Sequence, residues 1–256
     1  MLLALDIGNT TVAIGVFKDK SVVKDWKIRS DRDKTSDEYS VILFNLLGQA
    51  GLAVSDIKQV IISSVVPPLT PIFQSLSQTL FGTKAVVVGP GLKTGMPILY
   101  ENPLEVGADR VVAAVAAVEK FGGPCIIVDF GTATTFDAVS AKGEYLGGAI
   151  APGIQISAEA LAARTAKLPR IEITPPKKAI GRTTVTSMQS GIYYGYVGLV
   201  NNIIAEIKKE LSPEAKVVAT GGFAAEIAPA IPAIEHVEPQ LVLQGLRILF
   251  ERSQSS

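Results

Sequence analysis

Leu2-Leu-Ala-Leu-Asp-Ile-Gly-Asn-Thr-Thr11 decides the fold, because its pattern returns as Cys125-Ile-Ile-Val-Asp-Phe-Gly-Thr-Ala-Thr-Thr135. Each copy is a short apolar run, read as a buried strand, that breaks on an aspartate and a glycine-containing polar turn. Asp6 and Asp129 stand almost half of the 256-residue chain apart. Glycine lets backbone approach a ligand, and the amides and Thr/Asn side chains of such a turn can point at phosphate oxygens. The leading aspartate is placed to meet a cation carried with that phosphate. One Asp-x-Gly turn alone fits a plain structural turn as well as a binding loop. Two matching copies favour a pair of turns facing each other across a cleft for a nucleoside triphosphate.

Working outward, each turn opens a similar series. Strands are expected over residues 2–6, 12–17 and 22–28, and again over 126–129, 135–140 and 145–150. Thr35-Ser-Asp-Glu38 reads as a capping box before a helix marked by Tyr39, Ile42, Leu43, Leu46 and Leu47. A strand at 60–62, a helix through Ile72, Leu76 and Leu80, and a strand at 85–88 follow. Residues 89–103, rich in Gly and Pro, read as a loop, and 106–121 as a helix. In the second half, helices are expected over about 154–167, 186–211 and 241–251, with a strand at 217–220. The tail from Ser253 to Ser256 reads as frayed. Strand meanders followed by helix–strand alternation, given twice, predict two similar α/β lobes, residues 1–120 and 121–256, with the break at Gly122-Gly-Pro124.

Composition excludes several classes. Hydrophobic residues make up 48% and charged residues 19%, which is the balance of a globular chain. Twenty-four basic residues match 24 acidic ones, so there is no basic excess of the kind that nucleic-acid binding calls for. No apolar run is long enough to cross a bilayer, and the start lacks the basic region of a secretory signal, so a cytoplasmic location is expected. Cys125 is the only cysteine and reads as a small buried thiol. His236, the only histidine, reads as a surface residue. A general base is therefore expected to be a carboxylate, and a metal to be a hard cation held by oxygen.

Gly107-Ala-Asp-Arg110 places a charged pair at the start of an otherwise apolar helix. It fits a buried ion pair, or a base at Asp109 beside an anion-binding Arg110. Gly147-Gly-Ala-Ile-Ala-Pro-Gly153 and Thr220-Gly-Gly222 each end a strand and open a helix. Both fit a plain strand-to-helix turn. The first also suits an anion or a sugar hydroxyl, and Gly221-Gly222 a flat adenine ring lying on bare backbone.

Together these motifs resemble one family, the type III pantothenate kinases of the acetate kinase/sugar kinase/heat-shock-70/actin superfamily. The resemblance runs through Asp6-x-Gly-Asn-Thr10 with Gly15, Gly107-Ala-Asp-Arg110, Asp129-x-Gly-Thr-Ala-Thr134 with Asp137, Gly147-Gly-x-x-x-Pro-Gly153 and Thr220-Gly-Gly222. It implies two actin-like (ribonuclease H-like) lobes with a nucleotide cleft between them. It implies a kinase that uses ATP and Mg²⁺ to phosphorylate pantothenate to 4′-phosphopantothenate, the first step of coenzyme A biosynthesis. By the same resemblance Asp109 is the base, and Tyr100, Gly107, Ala108, Asp109, Arg110 and Thr184 contact pantothenate. Asp6, Ile7, Gly8, Asn9, Thr10, Thr11, Val12, Ala13 and Thr132 contact ATP, with Gly221 and Gly222 at the nucleotide and Asp6 near the Mg²⁺. Asp129 is implied as ligand to a monovalent cation, K⁺ or NH₄⁺. Family members are homodimers, and the stripe Ile192, Tyr193, Tyr196 and Val200 is a candidate dimer face or, equally, core. No nucleic-acid or membrane partner is expected.

Three other readings share some of these features. A superfamily kinase acting on a sugar or short acid would need a more polar acceptor pocket. A non-enzymatic transcription accessory factor would tolerate loss of the base or the turns, and all are intact here. A chaperone-like ATPase would need a further substrate domain.

Overall fold

In the computed structural model, residues 1–254 are described. In chain order they form β1 (Leu2–Ile7), β2 (Thr11–Lys18), β3 (Ser21–Arg29), α1 (Ser36–Gln49), β4 (Gln59–Ser64), α2 (Thr70–Phe81), β5 (Val86–Val87) and α3 (Ala108–Phe121). There follow β6 (Cys125–Phe130), β7 (Ala133–Val139), β8 (Tyr145–Pro152), α4 (Ile154–Ala163), α5 (Thr184–Leu211), β9 (Lys216–Gly221), α6 (Ala224–Ile227), β10 (His236–Val237) and α7 (Leu241–Gln254). Two five-stranded sheets result, ordered β3-β2-β1-β4-β5 and β8-β7-β6-β9-β10. In both, the first strand runs antiparallel to the second and parallel to the fourth, so the duplicated motif sits on a duplicated strand plan.

The chain groups into two units. The first holds Met1–Met96, Asn102–Ala116 and the helix from Leu241; the second holds Pro97–Glu101 and Ala117–Gln240. The sequence places the C-terminal helix with the second lobe, whereas in the structure α7 belongs to the first unit. The reason is in its small residues: Gly245 lies directly on the Val112 backbone of α3, and Leu243 fills the space above Gly15 of β2.

Within the first unit, alternation along β1 sends Leu3, Leu5 and Ile7 to one face, where they join Tyr39 and Leu43 of α1 and Phe73 and Leu76 of α2. The capping box is present: the Glu38 amide donates to Thr35 Oγ1 at 3.3 Å and the Thr35 amide to Glu38 Oε2 at 2.8 Å. Within the second unit, Ile126, Val128, Phe130 and Phe136 pack against Ile154 of α4 and Tyr193, Tyr196, Val200 and Ile204 of α5. Thr134 and the Tyr196 hydroxyl are hydrogen-bonded inside this core. The α5 stripe is therefore core, because a helix lying on a sheet turns its 3.6-residue apolar face inward. Residues 97–101 lie along the open edge of β8, with Leu99 donating to the Tyr145 carbonyl at 2.8 Å.

Other boundaries differ from expectation. Strand β5 is only two residues long, and α4 stops at Ala163 instead of near 167. His236 is half-buried in β10, stacked on Phe121 with ring centroids 4.3 Å apart, and is not a free surface residue. Ser253 and Gln254 continue α7, while Ser255 and Ser256 of the expected frayed tail lie outside the described residues. Cys125 is buried, which pushes its thiol up to about 12. No helix among the described residues is long and apolar enough to cross a membrane.

Candidate active site

The site residues of the first unit gather at the C-terminal ends of β1 and β4. Asp6 is half-buried and paired in register with Ser63 of β4 and Ala13 of β2. Beyond it the chain turns through Gly8, whose amide donates to the Thr11 carbonyl at 3.0 Å, and Asn9, Thr10 and Thr11 are exposed at the tip. Ile7 and Val12 are fully buried in the core, so only their backbone can face a ligand, and Ala13 is half-buried. The Ile7 carbonyl accepts from the Val65 amide at 3.0 Å, which ties this turn to the residue after β4.

Val65 also packs on the Gly107-Ala-Asp-Arg110 element, its Cγ1 lying 3.5 Å from where a Cβ at position 107 would be. The Gly107 carbonyl accepts from the Arg110 and Val111 amides and so starts α3. The Asp109 side chain folds back over this turn: Oδ1 accepts from the Arg110 amide at 2.8 Å and sits 2.5 Å from the Cβ position at Gly107. Any side chain at 107 would push the carboxylate aside, which is the physical reason for glycine there. Burial raises the Asp109 carboxyl above its ordinary range, against the Arg110 amide and charge, which pull it down. A half-buried carboxylate with a raised proton affinity suits a general base.

In the second unit, two loops close on the Asp129 turn. Gly221 at the end of β9 has φ of +98°, and a Cβ there would run into Asp129 Oδ1 and the Phe130 backbone. The Gly153 amide donates to the Thr132 carbonyl at 3.1 Å, and the Phe223 amide to the Phe130 carbonyl at 3.3 Å. Thr132 is exposed and Gly222 has open space above it. Asp137 is buried, taking the Tyr145 hydroxyl at 2.6 Å and the Thr135 hydroxyl at 3.2 Å. Tyr100 is half-buried with its ring edge 3.3 Å from the Cβ position at Gly147. Thr184 starts α5 and borders a cavity of about 760 Å³ with Arg182, Ser187, Met188, Leu161 and Ile192.

Asp6 through Ala13 and Gly107 through Arg110 are thus brought together in one unit. In the other, Asp129, Thr132, Gly221 and Gly222 form one group, with Tyr100 at Gly147 and Thr184 on its own cavity. Sequence reasoning passed over Ser30, Arg32 and Ser63, which surround the Asp6 turn. Ser30 donates to the Gly8 carbonyl at 2.6 Å, Arg32 to Asn9 Oδ1 at 3.1 Å, and Ser63 is fully buried with no hydrogen-bond partner. A polar Ser-Asp-Arg step after a strand was the only signal for the first two.

The duplicated plan is that of the actin-like ATPase and sugar kinase fold. The activator of 2-hydroxyisocaproyl-CoA dehydratase from Clostridium difficile, solved with bound ADPNP, matches with a TM-score of 0.59 at 15% identity, over 99% of this chain and 96% of that one. At that identity the likeness is one of fold. The sequence profile of the type III pantothenate kinase family matches residues 2–206. A type III pantothenate kinase from Geobacter sulfurreducens is 55% identical over 254 residues, 99% of this chain and 100% of the relative. Another from Geotalea uraniireducens is 54% identical over 256 residues, 100% of both. The chain belongs to the type III pantothenate kinase family, and it is an enzyme.

Proposed function

We propose that Asp109 is the general base of this kinase, that the Asp6 turn receives the β- and γ-phosphates of ATP, and that Arg110 holds the substrate carboxylate. The reaction is the ATP-dependent phosphorylation of pantothenate to 4′-phosphopantothenate, the first step of coenzyme A biosynthesis. In it the primary hydroxyl of pantothenate gives its proton to the Asp109 carboxylate as its oxygen bonds to the γ-phosphorus, and the bridging bond to ADP breaks. What carries this reading is the Asp109 carboxylate. It is half-buried, raised in proton affinity and held over Gly107 in the same unit as the phosphate turn. Phosphoryl transfer asks mainly for positioning and charge neutralisation, and a carboxylate need only take the proton late.

A divalent cation accompanies ATP, and the donors fit a phosphate-borne Mg²⁺. Among the described residues no group of three or more His, Cys, Asp or Glu side chains is gathered, and the Asp6 carboxylate lies at the start of an exposed amide turn. Mg²⁺ typically takes one or two carboxylates plus phosphates and water, and when bound it screens phosphate charge. The finer proposals are a monovalent cation, K⁺ or NH₄⁺, at Asp129, contacts of Tyr100 and Thr184 with pantothenate, and Thr132, Gly221 and Gly222 at the nucleotide. A homodimer in the cytoplasm completes the reading. With the α5 stripe used as core, the partner would meet a different surface.

The test is ADP release coupled to a spectroscopic readout, with pantothenate, ATP, Mg²⁺ and KCl, repeated with NaCl in place of KCl. Pantothenate-dependent turnover that collapses without K⁺ is the expected result. ATP binding without pantothenate-dependent turnover would overturn the acceptor assignment.

A further inference from the structure

The loop between β3 and α1 is built onto the Asp6 turn. Ser30 is stitched to it twice, its hydroxyl to the Gly8 carbonyl at 2.6 Å and its amide to the Thr10 carbonyl at 2.9 Å. Asp31 is pinned from the core: the buried Tyr39 hydroxyl accepts from the Asp31 amide at 2.8 Å and donates to its carbonyl at 2.9 Å. The Asp31 carboxylate is taken by Lys34 at 2.8 Å and by the Asp33 amide at 3.1 Å. Between these anchors Arg32 reaches the turn, with Nη2 donating to Asn9 Oδ1 at 3.1 Å. Among the described residues no carboxylate lies within ion-pair distance of its guanidinium.

Residues 6–13 contain no lysine or arginine, so the turn has amides and hydroxyls but no fixed positive charge of its own. Phosphoryl transfer spreads negative charge over the oxygens of the transferring group, and a cation placed beforehand stabilises it. A guanidinium that spends one N–H on a neutral amide keeps its remaining donors for an oxyanion. The proposed base Asp109 belongs to the same unit, and in the proposed reaction the phosphate that the turn must offer it is the γ-phosphate. We propose that Arg32 binds the γ-phosphate of ATP beside Asn9 and stabilises its charge during transfer. This rests on the reading of the Asp6 turn as the phosphate loop.

Arg32→Gln is expected to lower kcat/KM for ATP about 10- to 100-fold, the range of a lost charge-assisted hydrogen bond, with the KM for pantothenate unchanged. Arg32→Lys should recover part of the loss. Calorimetry with Mg-ATP and Mg-ADP should show Arg32→Gln weakening ATP more than ADP, a readout independent of the acceptor. If Arg32 only steadied Asn9, Asn9→Ala would abolish the effect of Arg32→Gln, and a full loss of the Arg32 effect on that background would overturn the proposal. Arg32→Gln within twofold of the parent enzyme, or an equal loss for ATP and ADP, would overturn it too. Absence of pantothenate-dependent turnover in the parent enzyme would instead sink the functional reading and leave the calorimetric comparison to decide Arg32.

Discussion

The two aspartate turns share a sequence pattern but not an environment. The Asp6 turn ends in an exposed tip, Asn9 to Thr11, closed by a Gly8-to-Thr11 hydrogen bond and held from the side by Ser30. The Asp129 turn is shorter, with the Gly131 amide donating to the Ala133 carbonyl at 3.1 Å, and it is roofed by loops that carry Gly153 and Gly221. An open loop offers donors to a ligand that arrives from outside. A crowded one fixes a carboxylate in place. The same short motif therefore sits in two environments, each set by residues distant in sequence.

The sharpest way to separate the two units by role is the proposed base. Asp109→Asn should reduce turnover by about 10²- to 10⁴-fold while Mg-ATP binding by calorimetry is retained. Burial raises the folded-state carboxyl above its unfolded value, so the folded protein keeps a proton that the unfolded chain releases. That contribution to stability is present below the unfolded value and is lost as pH rises through the folded one. Asp109→Asn should accordingly be no less stable than the parent at pH 8 by thermal melting. The rising limb of kcat/KM against pH should lie above the ordinary carboxylate range.

Gly107→Ala comes next. Its new methyl would displace the Asp109 carboxylate, and a misplacement of about 1 Å can cost on the order of 100-fold in rate. Because the clash is with a movable side-chain end, the melting temperature should change little. A stability loss as large as the rate loss would break this assignment.

The turns themselves can be set against each other by paired alanines. Gly221→Ala forces a side chain into a positive φ and onto the Phe130 backbone, and should cost about 1–3 kcal/mol in denaturant unfolding. Gly8→Ala meets only the Thr11 carbonyl, 3.1 Å from the new Cβ, and should cost about 1 kcal/mol or less. Equal costs would mean that the two turns are equally constrained. An effect of similar size and confined to stability is expected for Thr35→Ala, about 1 kcal/mol from loss of the capping box, with kcat unchanged.

Much of this was legible in the chain. The Asp6 and Asp129 repeats, the Thr35–Glu38 box and the glycine breaks are local signals, and local signals survive into structure. What was hidden depends on contacts between distant residues. Nothing near Leu241 says that Gly245 will lie on Val112, and nothing near Tyr196 decides whether its stripe meets a sheet or a partner. His236 looked free because Phe121, its stacking neighbour, is far away in sequence. Arg32 was invisible for the same reason, since its partner Asn9 is reached only once β2 and β3 have folded back as a hairpin.

Helix α7 has a consequence for how the protein is made. Residues 241–254 leave the ribosome after every strand of the second unit, yet they cover one face of the sheet made first. The earliest-synthesised sheet must wait with its Gly15 face bare until residues 241–254 have been made. Vectorial synthesis thus lets the later unit close before the earlier one, and an arrest shortly before residue 241 would expose apolar strand surface to chaperones or to aggregation.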